Sequence, residues 1–377
     1  MSLNIAVVGN AENNVGFAVA ADLSLAGHRV TLAHWPDQAA SLEPVQRRGG
    51  FEVVGDAAEF VSGKTGTARL HAITTDLALA VKGADLIFLD VPQRELPARF
   101  GDLLPHLGAD QYVHVNSHGG WPALRLAPLL RQAGREDVTL TESAAPTVAA
   151  GHDNGTITPH ALRRHLGVAA FPANRTSSAL AMLRQAYPSL EAASSVLQTG
   201  FDAMNFLVHP AIAMLNIGYY DHAEQAGERV RFYGAGNTPH TARFAEALDV
   251  ERLPVCAAYG VPFHTLRHHI CGYYGSHGEN VHDAIRNCAF YQKLLPAPAG
   301  TWRSWLADDL PLAHVPFVAF AELASIAVPL HRAAVSVGGA VLGTDFWAGG
   351  LTLARLGLAD AGVRDVRHFV EHGYPAR

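Results

Sequence analysis

The stretch Asn4-Ile-Ala-Val-Val-Gly9 decides the fold class of this chain. It is a short apolar run, rich in β-branched residues, that ends in glycine, and this pattern predicts a buried parallel strand. A polar loop reaches Gly16, a helical pattern covers residues 17–26 with Gly27 as its C-cap, and a second strand is predicted over residues 29–35. In such a strand–turn–helix–strand unit, the pyrophosphate of a dinucleotide lies at the helix N-terminus.

The glycine pattern of the loop departs from the usual G-x-G-x-x-G. It is Gly9-Asn-Ala-Glu-Asn-Asn-Val-Gly16, so the middle glycine is missing and the loop is longer. Taken alone the pattern is weak, and a plain βαβ turn without a ligand is the alternative. We favour cofactor binding because the unit opens the chain and further strands follow. Gly9, Asn10, Ala11 and Gly16 are the predicted cofactor-binding residues of this loop.

Further strands support a doubly wound parallel sheet. Ala84-Asp-Leu-Ile-Phe-Leu-Asp-Val-Pro92 is a buried strand ending in proline. A strand at this distance carries its C-terminal loop over the cofactor, so Pro92 is predicted to contact it. Strands are also predicted over residues 113–116 and 140–143, and Glu142 in the second of these is predicted to contact the cofactor. Residues 168–172 are predicted to close the sheet as an edge strand.

The end of the second strand bears on the choice between NAD and NADP. An acidic residue there would bind the ribose 2′-hydroxyl of NAD. His34 and Trp35 occupy that end, and the first acid is Asp37, so His34 is predicted to contact the cofactor instead. The missing acid leaves room for a 2′-phosphate, which Arg47 and Arg48 could reach. The alternative interpretation is that these arginines lie on a solvated helix face. The sequence therefore leaves both NAD and NADP open.

Composition argues against several classes of protein. The chain has 377 residues, of which 49% are apolar and 16% charged, which favours two domains with a large core. A net charge of −6 without a basic block argues against a nucleic-acid partner. Three irregularly spaced cysteines favour a reducing compartment. With no charged-then-apolar leader and no apolar run long enough for a membrane span, we expect a cytoplasmic protein without a membrane partner.

The sequence pattern changes near residue 195, where strand-like runs give way to long helix-like segments. We therefore predict a dinucleotide-binding domain over residues 1–195 and an all-helical substrate and catalytic domain over residues 196–377. The fold class is thus an α/β Rossmann-type domain followed by an all-α domain.

The second half contains Asn205-Phe-Leu-Val-His209-Pro210, a histidine beside a proline in an apolar run. Histidine can move a proton near neutral pH. Pro210 suits the first turn of a helix over residues 211–224, but if the helix runs through the proline, Asn205 and His209 share one face. Taken alone, a structural histidine with satisfied hydrogen bonds is the simpler account.

A second motif, Arg303-Ser-Trp305-Leu-Ala-Asp308-Asp309-Leu-Pro311, places two adjacent acids before a proline. A carboxylate that orients a histidine and stabilises its protonated form is the usual second member of an acid–base pair. One of the two acids is more simply a helix cap or a surface residue. Between the two motifs lies an aromatic and glycine-rich junction, Arg231-Phe-Tyr233-Gly-Ala-Gly-Asn-Thr238-Pro, in which Thr238 is a plausible N-cap.

In this order, these motifs resemble the opine dehydrogenases, the octopine/nopaline dehydrogenase family, over essentially the whole chain. The strongest matches are Asn205-x-x-x-His209-Pro210 with Leu215-Asn216, Phe232-Tyr233 with Gly236 and Thr238-Pro239, Leu248-Asp249-x-Glu251-Arg252-Leu253, Asp308-Asp309-Leu310-Pro311, and Leu356-Gly-Leu358. The resemblance implies a Rossmann domain, an all-α domain and NAD(P)H-dependent reductive condensation of an α-keto acid with the amino group of an amino acid.

The resemblance also implies roles for individual residues. His209 matches the catalytic histidine of the family, Asp309 its paired aspartate, and Asn205 the asparagine of the first motif. The family's arginine five residues before the aspartate falls on Ser304, with Arg303 one place off, so the substrate is open. Asn205, Arg303 and His118 are the predicted substrate-binding residues; His118 precedes two glycines that allow close backbone approach to a ligand, although a tight turn is the alternative.

Other functions are compatible with the same pattern. A ketone or 2-hydroxyacid dehydrogenase would need no amine, and a nucleotide-binding protein without turnover would explain the eroded glycine loop. No metal is predicted, because His268-His269 and His277-Gly-Glu-Asn-Val-His282 fit no standard ligand spacing. The expected partners are a keto acid and an amino acid, and a homodimer is one alternative for the oligomeric state.

Overall fold

The computed structural model describes residues 2–9, 14–116 and 119–375. The chain divides into two compact units. We call the first, formed by Met1–Ser117, Pro122–Thr199 and Val370–Arg377, the nucleotide unit, and the second, formed by His118–Trp121 and Gly200–Phe369, the helical unit. Each unit is described by itself below.

The strands, in chain order, are β1 (Asn4–Gly9), β2 (Arg29–His34), β3 (Gly50–Val53), β4 (Gly66–Arg69), β5 (Ala72–Thr74), β6 (Leu86–Asp90), β7 (Tyr112–Val115), β8 (Thr139–Ser143), β9 (Val148–Asp153), β10 (Thr156–Leu162), β11 (Gly167–Phe171), β12 (Glu191–Ala192), β13 (Arg229–Val230) and β14 (Ala297–Pro298). The last two pair in the helical unit, and the others lie in the nucleotide unit.

The helices, in chain order, are α1 (Asn14–Leu25), α2 (Glu43–Arg48), α3 (Leu77–Val81), α4 (Leu96–Leu103), α5 (Pro122–Ala133), α6 (Thr176–Leu183), α7 (Val196–Phe201), α8 (Asn205–Leu215), α9 (Ile217–Gln225), α10 (Phe232–Ala235), α11 (Pro239–Tyr259), α12 (Leu266–Tyr274), α13 (Val281–Arg286), α14 (Ala289–Lys293), α15 (Trp302–Asp309), α16 (Val315–Leu323), α17 (Pro329–Leu342), α18 (Phe346–Gly349) and α19 (Val363–His372). Short 3-10 turns and one π-helical turn, Leu310–His314, lie between them.

The main sheet of the nucleotide unit has the order β12-β11-β8-β7-β6-β1-β2-β5. Strand β1 pairs in parallel with β2 on one side and with β6 on the other. The carboxyl ends of β1 and β6 therefore border the point where the strand order reverses, which is where open α/β sheets bind their ligands. Apart from Asn4 at its start, β1 is buried, and Gly27, at φ 98°, follows the end of α1 as its glycine pattern predicts.

The structure corrects one strand prediction and adds a sheet that was not predicted. Strand β11 runs antiparallel to β8, but it is not the edge, because β12 pairs with its outer side. A second sheet has the order β4-β3-β10-β9. Its strand β10 alternates half-buried and buried residues and shifts register between Pro159 and Ala161, so no continuous apolar run marks it in the sequence.

In the helical unit, α8 continues through Pro210, so the helix does not begin there. Of the two possibilities that the sequence left open, Asn205 and His209 on one helix is the one observed. In the part of the chain that is described, no helix combines the length and the apolarity that crossing a membrane requires.

Candidate active site

The proline inside α8 explains how this helix meets the segment after α15. Proline has no backbone N–H, so Pro210 cannot donate the helical hydrogen bond to the carbonyl of Phe206. That carbonyl is instead bonded by Nε2 of His314. His314 ends the π-helical turn that directly follows Asp309. The carbonyl that Pro210 leaves free in α8 thus binds His314, and this bond holds in place the segment that begins at Asp309.

His209 and Asp309 meet within this arrangement. Nδ1 of His209 lies 2.8 Å from Oδ2 of Asp309, and their side chains are only 8% and 12% exposed. A carboxylate only accepts hydrogen bonds, so Nδ1 carries the proton and donates it to Asp309. In the neutral ring Nε2 is then an acceptor, and the hydroxyl of Tyr233, 2.7 Å away, donates to it. This is the geometry of a histidine whose tautomer is set by a carboxylate.

Aromatic side chains enclose the imidazole. The ring of Trp305 stacks on His209 with centroids 4.8 Å apart and planes at 22°, and Phe232 meets it edge-on at 5.8 Å. Trp305 precedes Asp309 by four residues on α15, so both side chains lie on one helix face. Tyr233 packs against Tyr291 at 4.3 Å. The apolar faces exclude water from the imidazole and strengthen its electrostatic interaction with Asp309.

His314 contacts a second buried histidine, His331. Their Nδ1 atoms lie 3.0 Å apart, and Nε2 of His331 donates to the carbonyl of Leu248 at 3.0 Å. Neither side chain is exposed to solvent. Burial lowers the pKa of His314 to about 4 and that of His331 well below its ordinary value. These histidines are therefore neutral structural groups, and the sequence analysis did not identify them.

In the nucleotide unit, the residues at the ends of β1 and β6 have little free space around them. The backbone N–H of Gly16, in the first turn of α1, donates to the carboxylate of Asp90 at the end of β6. A Cβ at Gly9 would lie 3.1 Å from the carbonyl of Asp90, and one at Gly16 would lie 3.0 Å from its carboxylate. Close packing against Asp90 therefore favours glycine at both positions. Asp90 was missed, although it ends the buried strand that the sequence predicts.

The remaining predicted cofactor residues differ in their environments. His34 ends β2 almost fully buried, with Nδ1 2.7 Å from the hydroxyl of Ser41 and its ring stacked on Phe17. Burial, with a contribution from His152, lowers its pKa to about 4, so it is uncharged. Asp37 accepts two hydrogen bonds from Arg99, at 3.0 and 2.8 Å.

Glu142 has a structural role. It is fully buried, and its oxygens accept the backbone N–H of Ala123 at 2.7 Å and the hydroxyl of Thr199 at 2.6 Å. Burial raises its pKa to about 7. It holds the first turn of α5, and its contact with a cofactor stays a prediction, as does that of the buried Pro92. Asn10, Ala11 and His118 lie outside the described residues.

Comparison with known proteins identifies the helical part of the chain. Residues 192–342, which include His209, Tyr233 and Asp309, match the family described as NAD/NADP octopine/nopaline dehydrogenase, alpha-helical domain. These residues are therefore similar to the helical domain of that family. This confirms the resemblance found in the sequence and the two-domain fold class that it implied.

Similar proteins extend the match over the whole chain. The opine dehydrogenase of Arthrobacter sp. (strain 1C) is 26% identical over 359 residues, which are 95% of this chain and 96% of that protein. An octopine dehydrogenase solved with NADH and agmatine has a TM-score of 0.75 at 18% identity and covers 100% of this chain and 99% of its own. Yersinopine dehydrogenase without ligand has a TM-score of 0.70 at 16% identity, covering 99% and 98%. The chain therefore shares the fold of NAD(P)-dependent oxidoreductases of this family.

The arginine expected by the family pattern lies in a different environment from the histidine pair. Arg303 donates to Glu224 at 2.7 and 3.0 Å and to Asp221 at 3.1 Å, and its side chain is 41% exposed. Ser304 is exposed and bonds the carbonyl of Thr301. Asn205 is half-buried, and the described contacts include no hydrogen bond from its side chain. Of the predicted substrate residues, Asn205 therefore has free hydrogen-bonding groups, whereas Arg303 is engaged in ion pairs.

Proposed function

We propose that this protein catalyses the NAD(P)H-dependent reductive condensation of an α-keto acid with the amino group of an amino acid. The main support for this proposal is the buried His209–Asp309 pair, because both residues lie within the stretch that matches the family model. Similar proteins support the substrate class, since octopine dehydrogenase has been solved with NADH and L-arginine and with NADH and pyruvate. The overall reaction joins keto acid, amine, NAD(P)H and a proton to give a secondary amine dicarboxylate, NAD(P)⁺ and water.

The nucleotide unit fits a dinucleotide in all but one respect. The parallel β1–α1–β2 unit, the tightly packed Gly9 and Gly16, and the reversal of strand order beside β1 are features of a dinucleotide site. The carboxylate of Asp90 is the exception, because it occupies the Gly16 N–H that a phosphate would use. Structures of similar proteins hold NADH or NADP⁺. When bound, the reduced nicotinamide supplies the hydride that reduces the imine carbon.

The helical unit supplies the proton transfers. As the amine adds to the keto carbon, Nε2 of His209 accepts a proton from the nitrogen, and the resulting imidazolium is stabilised by Asp309 through Nδ1. The alkoxide formed in the addition takes up the one proton that the overall reaction consumes and becomes a hydroxyl. Nε2–H of His209 then donates its proton to this hydroxyl, which leaves as water and yields the protonated imine. Acid–base assistance of this kind contributes ~10²–10⁴ in rate.

Tyr233 marks the position of the substrate group that exchanges this proton. Its hydroxyl lies 2.7 Å from Nε2 of His209, which is the only ring nitrogen that Asp309 leaves available. A substrate amine or hydroxyl either replaces the hydroxyl of Tyr233 beside Nε2 or exchanges a proton with Nε2 through that hydroxyl. The aromatic faces of Trp305 and Phe232 keep water away from the ring during these steps.

One observation favours a second candidate, the reduction of a keto acid to a hydroxy acid without an amine. Arg303 is held by Glu224 and Asp221, so it is not a ready partner for the carboxylate of an amino-acid substrate. The fold is also similar to that of a PanE/ApbA family ketopantoate reductase from Ralstonia eutropha JMP134, with a TM-score of 0.57 at 18% identity. In this reaction His209 would donate a proton to the carbonyl oxygen.

The deciding experiment is a screen of keto acids crossed with amino acids, followed by nicotinamide oxidation with NADH and with NADPH. We expect oxidation that requires both substrates, and a product whose mass is that of the two substrates minus water plus two hydrogens. Equal oxidation with keto acid alone would establish the second candidate. Tight nicotinamide binding without oxidation across the panel would instead indicate a binding protein. The His209→Ala variant, assayed in parallel, controls for contaminating reductases.

A further inference from the structure

His34 is the last residue of β2 and lies beside the last residue of β1. In the parallel pairing of these strands His34 is opposite Gly9, and a Cβ at Gly9 would lie 3.9 Å from Nε2 of His34. The carboxyl ends of the two strands border the reversal of strand order, where open α/β sheets bind nucleotides. Nε2 of His34 therefore lies at the edge of the sheet where a dinucleotide is expected.

The neighbours of His34 determine which ring nitrogen carries the proton. Nδ1 lies 2.7 Å from the hydroxyl oxygen of Ser41, and that oxygen lies 2.7 Å from the carbonyl oxygen of Gln38. A carbonyl only accepts hydrogen bonds, so Ser41 donates its single proton to Gln38. The hydrogen bond between His34 and Ser41 must then use a proton on Nδ1. Because burial lowers the pKa of His34 to about 4, the ring is neutral near pH 7, and Nε2 is an acceptor.

This acceptor is held in one orientation. The ring of His34 stacks on Phe17 with centroids 5.0 Å apart, and the bond to Ser41 prevents the ring from turning over. Among the residues that the structure describes, none donates a hydrogen bond to Nε2 of His34. An acceptor that is already oriented loses little freedom on binding, so it suits a ligand that carries a hydroxyl donor.

The arginines nearest in sequence or in contact with the end of β2 are engaged elsewhere. Arg99 donates to both carboxylate oxygens of Asp37, at 3.0 and 2.8 Å. Arg47 and Arg48 are exposed, and Arg47 bonds a carbonyl of its own helix. None of these three arginines contributes to the lowered pKa of His34. The carboxylate of Asp37, which is 58% exposed, instead adds negative charge three residues after His34.

We propose that this protein binds NADH in preference to NADPH, and that Nε2 of His34 accepts a hydrogen bond from the 2′-hydroxyl of the adenosine ribose. In the usual dinucleotide site, an acidic residue at the end of the second strand has this role. A neutral imidazole with its proton on Nδ1 provides the same acceptor without a charge. The 2′-phosphate of NADPH would meet a lone pair at His34 and a carboxylate at Asp37. The inference rests on the dinucleotide binding that the proposed function requires.

Titration calorimetry of the full chain with NADH and with NADPH, in the absence of keto acid and amine, tests this preference apart from turnover. The Kd for NADH should be at least about tenfold lower than that for NADPH, because like-charge contacts disfavour the phosphate. The values of kcat/KM should show the same order. NADH-selective binding without oxidation would reject the proposed reaction but support the role of His34. Equal affinities, tighter binding of NADPH, or binding of neither nucleotide would overturn the inference.

Two variants test the residue itself. His34→Ala removes the acceptor and should lower the ratio of the NADPH Kd to the NADH Kd by about 2- to 10-fold, which is the effect of one hydrogen bond. Ser41→Ala, at a half-buried position, removes the partner of Nδ1. Nε2 of His34 can then carry the proton and donate to a phosphate, so the ratio should fall in this variant also.

The matched control is His71→Ala. His71 is exposed and contacts Arg29 at the opposite end of β2, with Nε2 2.6 Å from the guanidinium, so its removal should leave both Kd values unchanged. An unchanged ratio in folded His34→Ala would overturn the role of His34. If His34→Ala does not fold, an unchanged ratio in Ser41→Ala has the same consequence.

Discussion

Two histidines of the helical unit flank the segment from Asp309 to His314 and have opposite roles. His209 contacts the first residue of this segment and is the proposed proton carrier, whereas His314 is its last residue and is structural. His209 is joined to Asp309 and to the hydroxyl of Tyr233, and it retains a small exposed surface. His314, five residues after Asp309, donates to a backbone carbonyl and contacts His331, and it has no exposed surface. The first has partners that stabilise a charged ring, whereas the second has partners that suit a neutral one.

The comparison shows that the hydrogen-bond partner of a buried histidine decides whether the side chain has a chemical or a structural role. A carboxylate beside Nδ1 orients the ring of His209 and places a negative charge next to it. A carbonyl and a second imidazole provide no negative charge, so burial keeps His314 neutral. The two are also connected, because the bond from His314 to Phe206 holds in place the segment that begins with Asp309.

The largest expected effect follows from removing the reactive histidine. His209→Ala should lower kcat by ~10²–10⁴ because it removes the group that transfers protons. Nicotinamide affinity should change little, since the variant alters the helical unit only. Steady-state kinetics and cofactor titration check both statements. Near-normal turnover in a folded His209→Ala protein would show that this histidine is as structural as His314.

The structural histidine should show its effect in stability. His314→Ala leaves the buried carbonyl of Phe206 without its donor, and an unsatisfied buried group costs about 1–3 kcal/mol. Urea denaturation should therefore show a lower free energy of unfolding than for His209→Ala, whose partners lie at a slightly exposed site. If His209→Ala were the more destabilised of the two, the division between reactive and structural histidines would fail.

The pH dependence of stability should differ between the two units. Burial lowers the pKa of His314 from 6.5 to about 4 and lowers that of His331, so only their unfolded forms take up protons below about 6.5. The helical unit should then lose stability as pH falls from 6.5 towards 4. In the nucleotide unit, burial raises the pKa of Asp22 from 3.8 to about 6 and that of Glu142 from 4.5 to about 7. There the unfolded carboxyls ionise first, which lowers stability as pH rises through this range. Burial also lowers the pKa of His34 to about 4 and that of His114 to about 3 in the same unit, which lowers stability as pH falls, so the two contributions oppose each other.

Hydrogen exchange at pH 5 and pH 7, corrected for intrinsic exchange rates, measures this difference. Between the two values, protection of α8 and α17 should increase more than protection of α1 and β8, where the contributions of buried acids and buried histidines oppose each other. A decrease in protection of α8 and α17, or an increase no larger than that of α1 and β8, would contradict the assignment of His314 and His331 as neutral buried histidines.

The smallest effect is expected at the third member of the reactive cluster. Tyr233→Phe removes the hydroxyl that bonds Nε2 of His209 while keeping the ring that packs on Tyr291. A hydrogen bond of this kind contributes about 0.5–1.5 kcal/mol, so kcat should fall by ~2- to 10-fold. The pH profile of kcat should also shift, which a merely structural role of Tyr233 would not cause. An unchanged profile would remove Tyr233 from the proton path.

Much of this arrangement could be predicted from the sequence, and the rest depends on contacts that patterns do not show. Buried parallel strands such as β1 and β6 have continuous apolar runs, and the His209 and Asp309 motifs carry the resemblance to the family. The choice between Asp308 and Asp309 needed the coordinates, as did the ion pairs of Arg303, because a long exposed side chain has many possible partners. The sheet formed by β3 and β10 was missed because it pairs residues as distant as Glu52 and Thr156.

His314 is an instructive omission. A proline within a helix always frees the carbonyl four residues earlier, so Pro210 predicts that some donor must bond Phe206. The alternative in which a helix begins at Pro210 implies no such requirement, because the carbonyl of Phe206 would then lie outside the helix. A search for buried donors near the second motif would have indicated His314.

The most direct test of the central claim is a double-mutant cycle on kcat with His209→Ala, Asp309→Asn and the combined variant. If Asp309 acts only through the imidazole, removing it should cost little once His209 is absent, and the double variant should be about as slow as His209→Ala alone. If the two losses multiply, the carboxylate acts independently of the histidine, and the His209–Asp309 pair is not the acid–base unit of this protein.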